Sequence, residues 1–188
     1  MKVTRDAGFP GTGGGSSTRR AAGVFAALFL TAFSAPCVSV AAEGRGVVIG
    51  EPLPAICLRD AETGKSEEIA ALLKDRVGAV VFMSTSCAVC RRELMAFKEL
   101  SSSRPYLTVV AVSGDPGSPG KVAGYKRLNG LPFTFLTDPE GEKMALFGFG
   151  YTPGLVVTDR AGRIALIKSG FREEDRENLE NKIGELAR

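Results

Sequence analysis

The sequence predicts an α/β protein in which helices flank a mixed β-sheet. Two β-branched apolar runs, residues 77–83 and 107–112, are typical of buried parallel strands. Residues 88–100, between them, have the apolar spacing of a helix. Two short apolar segments on either side of residues 159–162 indicate a hairpin. The chain of 188 residues is long enough for one domain with a core and an additional N-terminal segment.

The remaining elements follow in chain order. The pattern predicts short strands at residues 55–58 and 132–136 and the two hairpin strands at residues 155–158 and 163–168. It predicts a helix at residues 121–128 and a charged C-terminal helix at residues 172–187. A Gly/Pro loop is predicted at residues 113–120 and a turn at residues 138–141. We find no internal repeat, so residues 43–188 are predicted to form a single domain.

The composition excludes several classes of protein. The chain has no histidine, which excludes Cys–His proteases, Ser–His–Asp hydrolases, histidine-ligated haem and most zinc enzymes. The net charge is only +3, and basic and aromatic residues do not alternate as they do on a nucleic-acid surface. We therefore expect no nucleic-acid partner.

Residues 1–42 have the pattern of an export signal. A glycine-rich start ends in Arg19 and Arg20, residues 21–42 carry no charge, and small residues precede Glu43. This layout is typical of a secretory signal peptide, with cleavage expected after Ala42. The uncharged stretch is also long enough to remain as an N-terminal membrane anchor. Both alternatives predict that residues 43–188 lie outside the cytoplasm.

The four cysteines include one C-x-x-C pair, Cys87 and Cys90; the other two are Cys37 and Cys57. Such a pair is a redox centre, half of a zinc site or a chance spacing. Zinc needs four ligands, and only Cys57 remains if Cys37 leaves with the signal, so we predict no metal site. Cys57 lies in an apolar segment and is predicted to be a buried free thiol.

The surroundings of the pair favour the redox interpretation. Residues 84–86 form a hydroxyl-rich break after a strand, and Ser86 is a candidate N-cap of the following helix. Cys87 would then lie at the helix N-terminus, where free N–H groups and the helix dipole stabilise a thiolate. Cys90 lies one turn further along the helix and is expected to be less exposed. We therefore predict that Cys87 attacks a disulfide and that Cys90 resolves the mixed disulfide.

From residue 50 onward the chain resembles the TlpA/ResA-like branch of thioredoxins, which are exported thiol–disulfide oxidoreductases. The matching stretches are residues 82–93, 151–153 and 155–163. The resemblance implies a thioredoxin-like fold with an N-terminal extension and a central insertion. It also implies that Pro153 is a cis-proline facing the cysteine pair, with the Thr152 backbone presented to the substrate.

Glu93 matches an acid that this branch places shortly after the cysteine pair. The resemblance implies that Glu93 accepts or delivers a proton during thiol exchange. The alternative is an ordinary solvated or helix-capping glutamate. Val81 stands where ordinary thioredoxins have a buried aspartate, so Glu93 is expected to be the only acid near the pair.

The function implied is reduction of protein disulfides outside the cytoplasm. By resemblance, cytochrome c maturation is the commonest role, with apocytochrome c as the substrate and a membrane electron donor that recharges the pair. We expect a monomer with no cofactor other than the redox-active disulfide Cys87–Cys90. A disulfide-forming oxidase is the nearest alternative.

Three further alternatives are open. A thiol peroxidase would use Ser84, three residues before Cys87, but would also need a proline where Val80 stands. A copper carrier would bind Cu(I) through the two thiolates. A purely structural disulfide would show a strongly reducing potential and no turnover.

Overall fold

The computed structural model describes residues 47–188, so the predicted signal peptide or anchor, residues 1–42, lies outside the described residues. The strands are β1 (Cys57–Asp60), β2 (Ser66–Glu68), β3 (Val77–Met83), β4 (Leu107–Ser113), β5 (Thr134–Thr137), β6 (Gly154–Thr158) and β7 (Ile164–Ser169). The helices are α1 (Ile69–Leu72), α2 (Ala88–Ser103), α3 (Pro119–Leu128), α4 (Glu142–Leu146) and α5 (Asp175–Leu186). The seven strands form one sheet in the order β2-β1-β5-β4-β3-β6-β7. This mixed sheet with flanking helices is a thioredoxin-like fold, as predicted.

The middle of the sheet is parallel, and this positions the functional site. β3 pairs with β4 from Val77↔Leu107 to Met83↔Ser113, and β4 pairs in parallel with β5. Every residue of β3 is buried, since helices cover both of its faces. Because β3 and β4 end side by side, the loops that follow them meet at the same edge of the sheet.

Successive residues of β3 contribute to two separate cores. Val81 and Met83 pack with apolar side chains of α2, α3 and α5. Val80 and Phe82 point to the other face and pack with residues of α1 and with the aromatic rings that follow α4. The C-x-x-C helix α2 is thus anchored to the sheet along its length by a buried stripe that ends in Phe97 and Leu100.

The chain returns to the centre of the sheet through β6, which is antiparallel to β3 with Phe82 opposite Gly154. The residues just before β6 therefore lie beside the end of β3. Gly154 has no room for a side chain, because a Cβ atom there would lie 2.4 Å from Cδ2 of Phe149. The Phe149 ring packs directly on the backbone at this point.

Several predicted boundaries differ from the structure. β5 begins at Thr134 instead of residue 132, since its pairing with β4 starts at Val110↔Thr134 and Pro132 has no N–H to contribute. α3 begins two residues earlier than predicted, at Pro119, where proline is well suited to the first helical turn. The short elements β2, α1 and α4 were not predicted, because three to five residues are too few to show a period.

The prediction that Cys57 is a buried free thiol is wrong. Cys57 is half-buried and disulfide-bonded. Ile56 and Leu58, on either side, are both buried, and side chains alternate between faces along a strand, so Cys57 points away from this core. Between residues 47 and 188, no helix is both long and apolar enough to cross a bilayer.

Candidate active site

Cys87 and Cys90 form a disulfide at the N-terminus of α2, with their Cα atoms 5.3 Å apart. Cys87 itself is the N-cap residue, and the backbone N–H of Cys90 donates to Cys87 Sγ at 3.1 Å. The prediction that Ser86 is the N-cap is wrong, because the Ser86 hydroxyl bonds to the Ser84 hydroxyl at 2.9 Å instead. Because the Cys90 N–H points at Cys87 Sγ, it stabilises the Cys87 thiolate once the disulfide is reduced.

The two cysteines differ in accessibility. Cys87 is half-buried, whereas Cys90 is completely buried in the core with Leu94 of the same helix. A large substrate can therefore reach only the Cys87 sulfur. The structure brings Cys90 close enough to Cys87 to form a bond without any rearrangement of α2.

The residues before β6 face this disulfide. The Thr152–Pro153 peptide bond is cis, and the Thr152 carbonyl oxygen lies 3.9 Å from Cys87 Sγ. A cleft of about 630 Å³, which we call the substrate cleft, runs alongside and is lined by Thr152, Pro153, Val89 and the exposed Tyr151. The sequence-predicted residues Cys87, Thr152 and Pro153 are thus brought together at one surface.

Glu93 lies one turn after Cys90 and is not a solvated surface residue. Its side chain is 1% exposed, and its Oε2 atom has no hydrogen-bond partner. Burial raises the pKa of Glu93 to about 8; the positive charge of Lys168 opposes this shift and the negative charge of Asp175 adds to it. At neutral pH the carboxyl group therefore holds a proton in most molecules and can exchange it.

Asp115 is a second buried acid at the site, so the expectation that Glu93 is the only one nearby is wrong. Asp115 follows β4 and is 7% exposed. Its carboxylate accepts hydrogen bonds from Thr85 N (2.7 Å), Ser84 Oγ (3.0 Å), Thr85 Oγ1 (3.0 Å), Ser113 Oγ (2.7 Å) and Lys121 Nζ (3.3 Å). Three of these donors belong to Ser84 and Thr85, in the loop immediately before Cys87. Asp115 therefore holds the loop that carries the attacking cysteine.

The hydrogen bonds also keep Asp115 ionised. Burial alone would raise the pKa of Asp115, but the bonds from Ser113, Thr85 and Ser84 outweigh it and lower the pKa to about 2. The sequence pattern predicts only a loop at residues 113–120 and does not single out Asp115. The signal that could have indicated Asp115 is the topology, since loops that follow adjacent parallel strands meet at one edge of the sheet.

Within residues 47–188, no group of three or more Cys, Asp or Glu side chains is placed to hold a metal ion. The chemistry that this geometry supports is thiol exchange at Cys87, with a buried acid one helical turn after the partner cysteine.

Comparison with known proteins agrees with this geometry. The sequence model of the AhpC/TSA family matches residues 49–167, which is more than half of the chain. The chain belongs to the AhpC/TSA family. A search of curated protein sequences found no match.

Solved structures with the same fold include several thiol–disulfide enzymes of this type. A proposed thiol:disulfide interchange protein DsbE from Chlorobium tepidum is 25% identical, with a TM-score of 0.68 over 75% of this chain and 99% of that one. An uncharacterised thioredoxin-like protein from Porphyromonas gingivalis is 27% identical, with a TM-score of 0.62 over 71% and 90%. A disulfide oxidoreductase from Mycobacterium tuberculosis, 16% identical with a TM-score of 0.57 over 70% and 96%, shares the fold.

These likenesses agree with the resemblance to TlpA/ResA-like thioredoxins. The protein is a thiol–disulfide oxidoreductase of the AhpC/TSA family, with a thioredoxin-like fold.

Proposed function

We propose that this enzyme reduces protein disulfides outside the cytoplasm, with Cys87 as the attacking and Cys90 as the resolving cysteine. The observation that carries the proposal is the difference in exposure between the two cysteines: Cys87 is half-buried, whereas Cys90 is completely buried. In the reduced enzyme, the Cys87 thiolate attacks one sulfur of the substrate disulfide. The other substrate sulfur leaves as a thiolate and takes a proton from water.

Cys90 completes the reaction in a second step. The Cys90 thiol loses its proton, its sulfur attacks Cys87 Sγ, and the remaining substrate sulfur leaves as a thiolate. The substrate has then gained two electrons, and Cys87–Cys90 is oxidised. Glu93, buried one turn from Cys90 and with a pKa of about 8, is the proposed acceptor of the Cys90 proton in the molecules in which its carboxyl group is ionised, a fraction that grows as the pH rises toward 8. It returns a proton when the pair is reduced again.

Thr152 and Pro153 are the proposed docking residues for the substrate. The Thr152 carbonyl lies beside Cys87 Sγ and borders the substrate cleft, so an extended peptide can pair with this backbone while its disulfide meets Cys87. The Chlorobium structure is described as a thiol:disulfide interchange protein, which supports protein thiols and disulfides as the partners.

The proposed location and partners depend on the N-terminal segment and on the family resemblance. Residues 1–42 are proposed to direct export, either as a cleaved signal or as a retained anchor. A membrane electron donor is the proposed source of reducing equivalents, and apocytochrome c is the proposed substrate.

Substitution of each cysteine tests the roles of the pair. Cys87→Ser is expected to abolish exchange with a model protein disulfide, because no accessible thiolate remains. Cys90→Ser is expected to accumulate mixed disulfides on Cys87, which mass spectrometry and non-reducing gels detect. Retention of exchange in Cys87→Ser would contradict the proposal.

The reduction potential of Cys87–Cys90 tests the direction. Equilibration with glutathione or dithiothreitol buffers is expected to give about −270 mV or lower, with rapid turnover, as for a reductase. A value near about −120 mV would instead identify a disulfide-forming oxidase. A potential below about −300 mV without turnover would indicate a structural disulfide.

A further inference from the structure

A cavity of about 350 Å³, which we call the Glu93 pocket, lies between α2, the β6–β7 hairpin and α5. Glu93 lines this pocket with a carboxyl group that is almost fully buried, and the Oε2 atom has no hydrogen-bond partner. Much of the remaining lining is apolar, including Leu155, Leu166 and Phe171. The carboxyl group therefore borders a largely apolar pocket, where nearby charges are screened less than they are in bulk water.

The Glu93 pocket and the substrate cleft share three lining residues, Lys168, Phe171 and Asp175. Lys168 Nζ lies 2.6 Å from Asp175 Oδ2, and both side chains are about one-third exposed. The same ion pair therefore borders the cleft on one side and the pocket on the other.

Hydrogen bonds connect this ion pair to the docking residues. Lys168 lies opposite Leu155 in the pairing of β7 with β6, and Lys168 Nζ donates to the Gly170 carbonyl at 3.0 Å. The Gly170 N–H donates in turn to the Pro153 carbonyl at 2.8 Å. A peptide docked at Thr152 and Pro153 thus lies against the segment that carries the ion pair.

The charged groups that face Glu93 come from two elements. The pocket is lined by Lys168 of β7 and by Asp175 and Lys182 of α5. On the other two elements, Leu155 of β6 carries no charge, and Cys90 precedes Glu93 on α2. After burial, which has the largest effect, Lys168 lowers the pKa of Glu93 and Asp175 raises it. The two members of one ion pair therefore act on Glu93 in opposite directions.

We propose that the Lys168–Asp175 ion pair couples peptide docking in the substrate cleft to proton transfer at Glu93. A docked peptide displaces water from the ion pair, so both charges act more strongly on the carboxyl group. In the molecules in which Glu93 is ionised, Cys90 Sγ gives its proton to the Glu93 carboxylate. Cys90 Sγ then bonds to Cys87 Sγ, the bond between Cys87 Sγ and the peptide sulfur breaks, and the peptide sulfur leaves and takes a proton from water. Lys168 and Asp175 are positioning residues here, and their role rests on the proposed role of Glu93.

Titration of Glu93 by carbon-13 NMR in the oxidised full chain tests the ion pair, with Glu93→Gln identifying the signal. Lys168→Met is expected to raise the titration midpoint, and Asp175→Asn is expected to lower it, each by on the order of one pH unit. A merely structural ion pair would shift both variants in the same direction, because each variant breaks the same contact. Shifts of the same sign, or no shift, would overturn the proposal.

Glu180→Gln is the matched control. Glu180 is also on α5 and forms an ion pair with Arg176 at 3.1 Å, but it lines neither cavity. Its removal is expected to leave the Glu93 midpoint unchanged, and a shift comparable to that of Asp175→Asn would count against the specific role of the Lys168 pair.

Docking is tested with two adducts of the Cys90→Ser variant. Cys87 carries either a short cysteine-containing peptide or β-mercaptoethanol, and only the peptide occupies the substrate cleft. We expect different Glu93 midpoints in the two adducts, and we expect the double substitution Lys168→Met and Asp175→Asn to remove the difference. Equal midpoints would overturn the coupling. If Glu93→Gln instead leaves the rate of the resolving step unchanged while the midpoints still differ, the coupling stands and the proposed role of Glu93 is wrong.

Discussion

Two buried carboxyl groups flank the Cys87–Cys90 disulfide, and they behave in opposite ways. Asp115 meets five hydrogen-bond donors and has a pKa of about 2, whereas Oε2 of Glu93 meets none and the pKa of Glu93 is about 8. Both are removed from water, so burial alone does not set their charge state. The number of donors around each carboxyl group decides it.

This difference separates two tasks within one site. A carboxylate that stays charged at every physiological pH can hold a loop in place, and Asp115 does so for the residues before Cys87. A carboxyl group that titrates near neutral pH can pass a proton, and this is the role proposed for Glu93, one helical turn after the buried cysteine. The site thus has a rigid side and a side that exchanges protons.

The largest expected effect is on the pH dependence of stability at Glu93. Its folded-state pKa of about 8 lies above the ordinary value of 4.5, so the folded protein keeps a proton that the unfolded chain releases. The free energy of unfolding should therefore fall as the pH rises through this window, by on the order of 5 kcal/mol in all. Urea unfolding at several pH values measures this, and Glu93→Gln is expected to flatten the curve. If the stability of Glu93→Gln depended on pH as steeply as that of the unchanged protein, the contrast between Glu93 and Asp115 would be wrong.

Removal of the Asp115 carboxylate is expected to cost about 3 kcal/mol of stability, because several donors lose their acceptor in a buried site. Asp115→Ala should also slow thiol exchange at Cys87, since the loop before it is no longer held. Asp60→Ala is the matched control, because Asp60 is buried and accepts two backbone N–H bonds within its own turn. If both variants exchange thiols at the same rate, the loop-holding role of Asp115 is wrong.

The smallest expected effect sharpens the account of Asp115. Ser113→Ala removes two buried hydrogen bonds and should cost about 2 kcal/mol at neutral pH. Ser113 Oγ donates one of them to the Asp115 carboxylate at 2.7 Å and accepts the other from Asp115 N at 3.2 Å. The pKa of Asp115 should rise, because one of its supporting donors is lost. Since that lowered pKa contributes stability that is lost as the pH falls from about 4 to 2, acid unfolding should begin at a higher pH than in the unchanged protein. An unchanged acid-unfolding midpoint would show that the remaining donors suffice.

The parts of the site that the sequence predicted correctly depend on local signals. The buried strand before Cys87, the helix after it and the position of Cys87 at the helix start can all be read from about twenty consecutive residues. The fold class follows from the alternation of such segments. The cis geometry at Pro153 came from resemblance, and the structure has the bond in that form.

The parts that were missed depend on contacts between distant segments. Asp115 meets Thr85 only because β3 and β4 pair in the register that places Met83 opposite Ser113. The Glu93 pocket exists because α5 packs across the hairpin, and no pattern in residues 172–187 shows which face does so. Cys57 was misassigned because an apolar neighbourhood in sequence does not fix the direction of a side chain.

Gly154 limits how this protein can be re-engineered. Its position admits no side chain because the Phe149 ring occupies that space. Phe149 in turn packs with Phe82 of the central strand at a ring distance of 5.7 Å. A library that seeks new substrate preferences should therefore vary Tyr151, which is 63% exposed at the edge of the cleft, and leave Gly154 untouched. The aromatic cluster on the far face of the sheet thereby restricts which positions beside the cysteine pair can change.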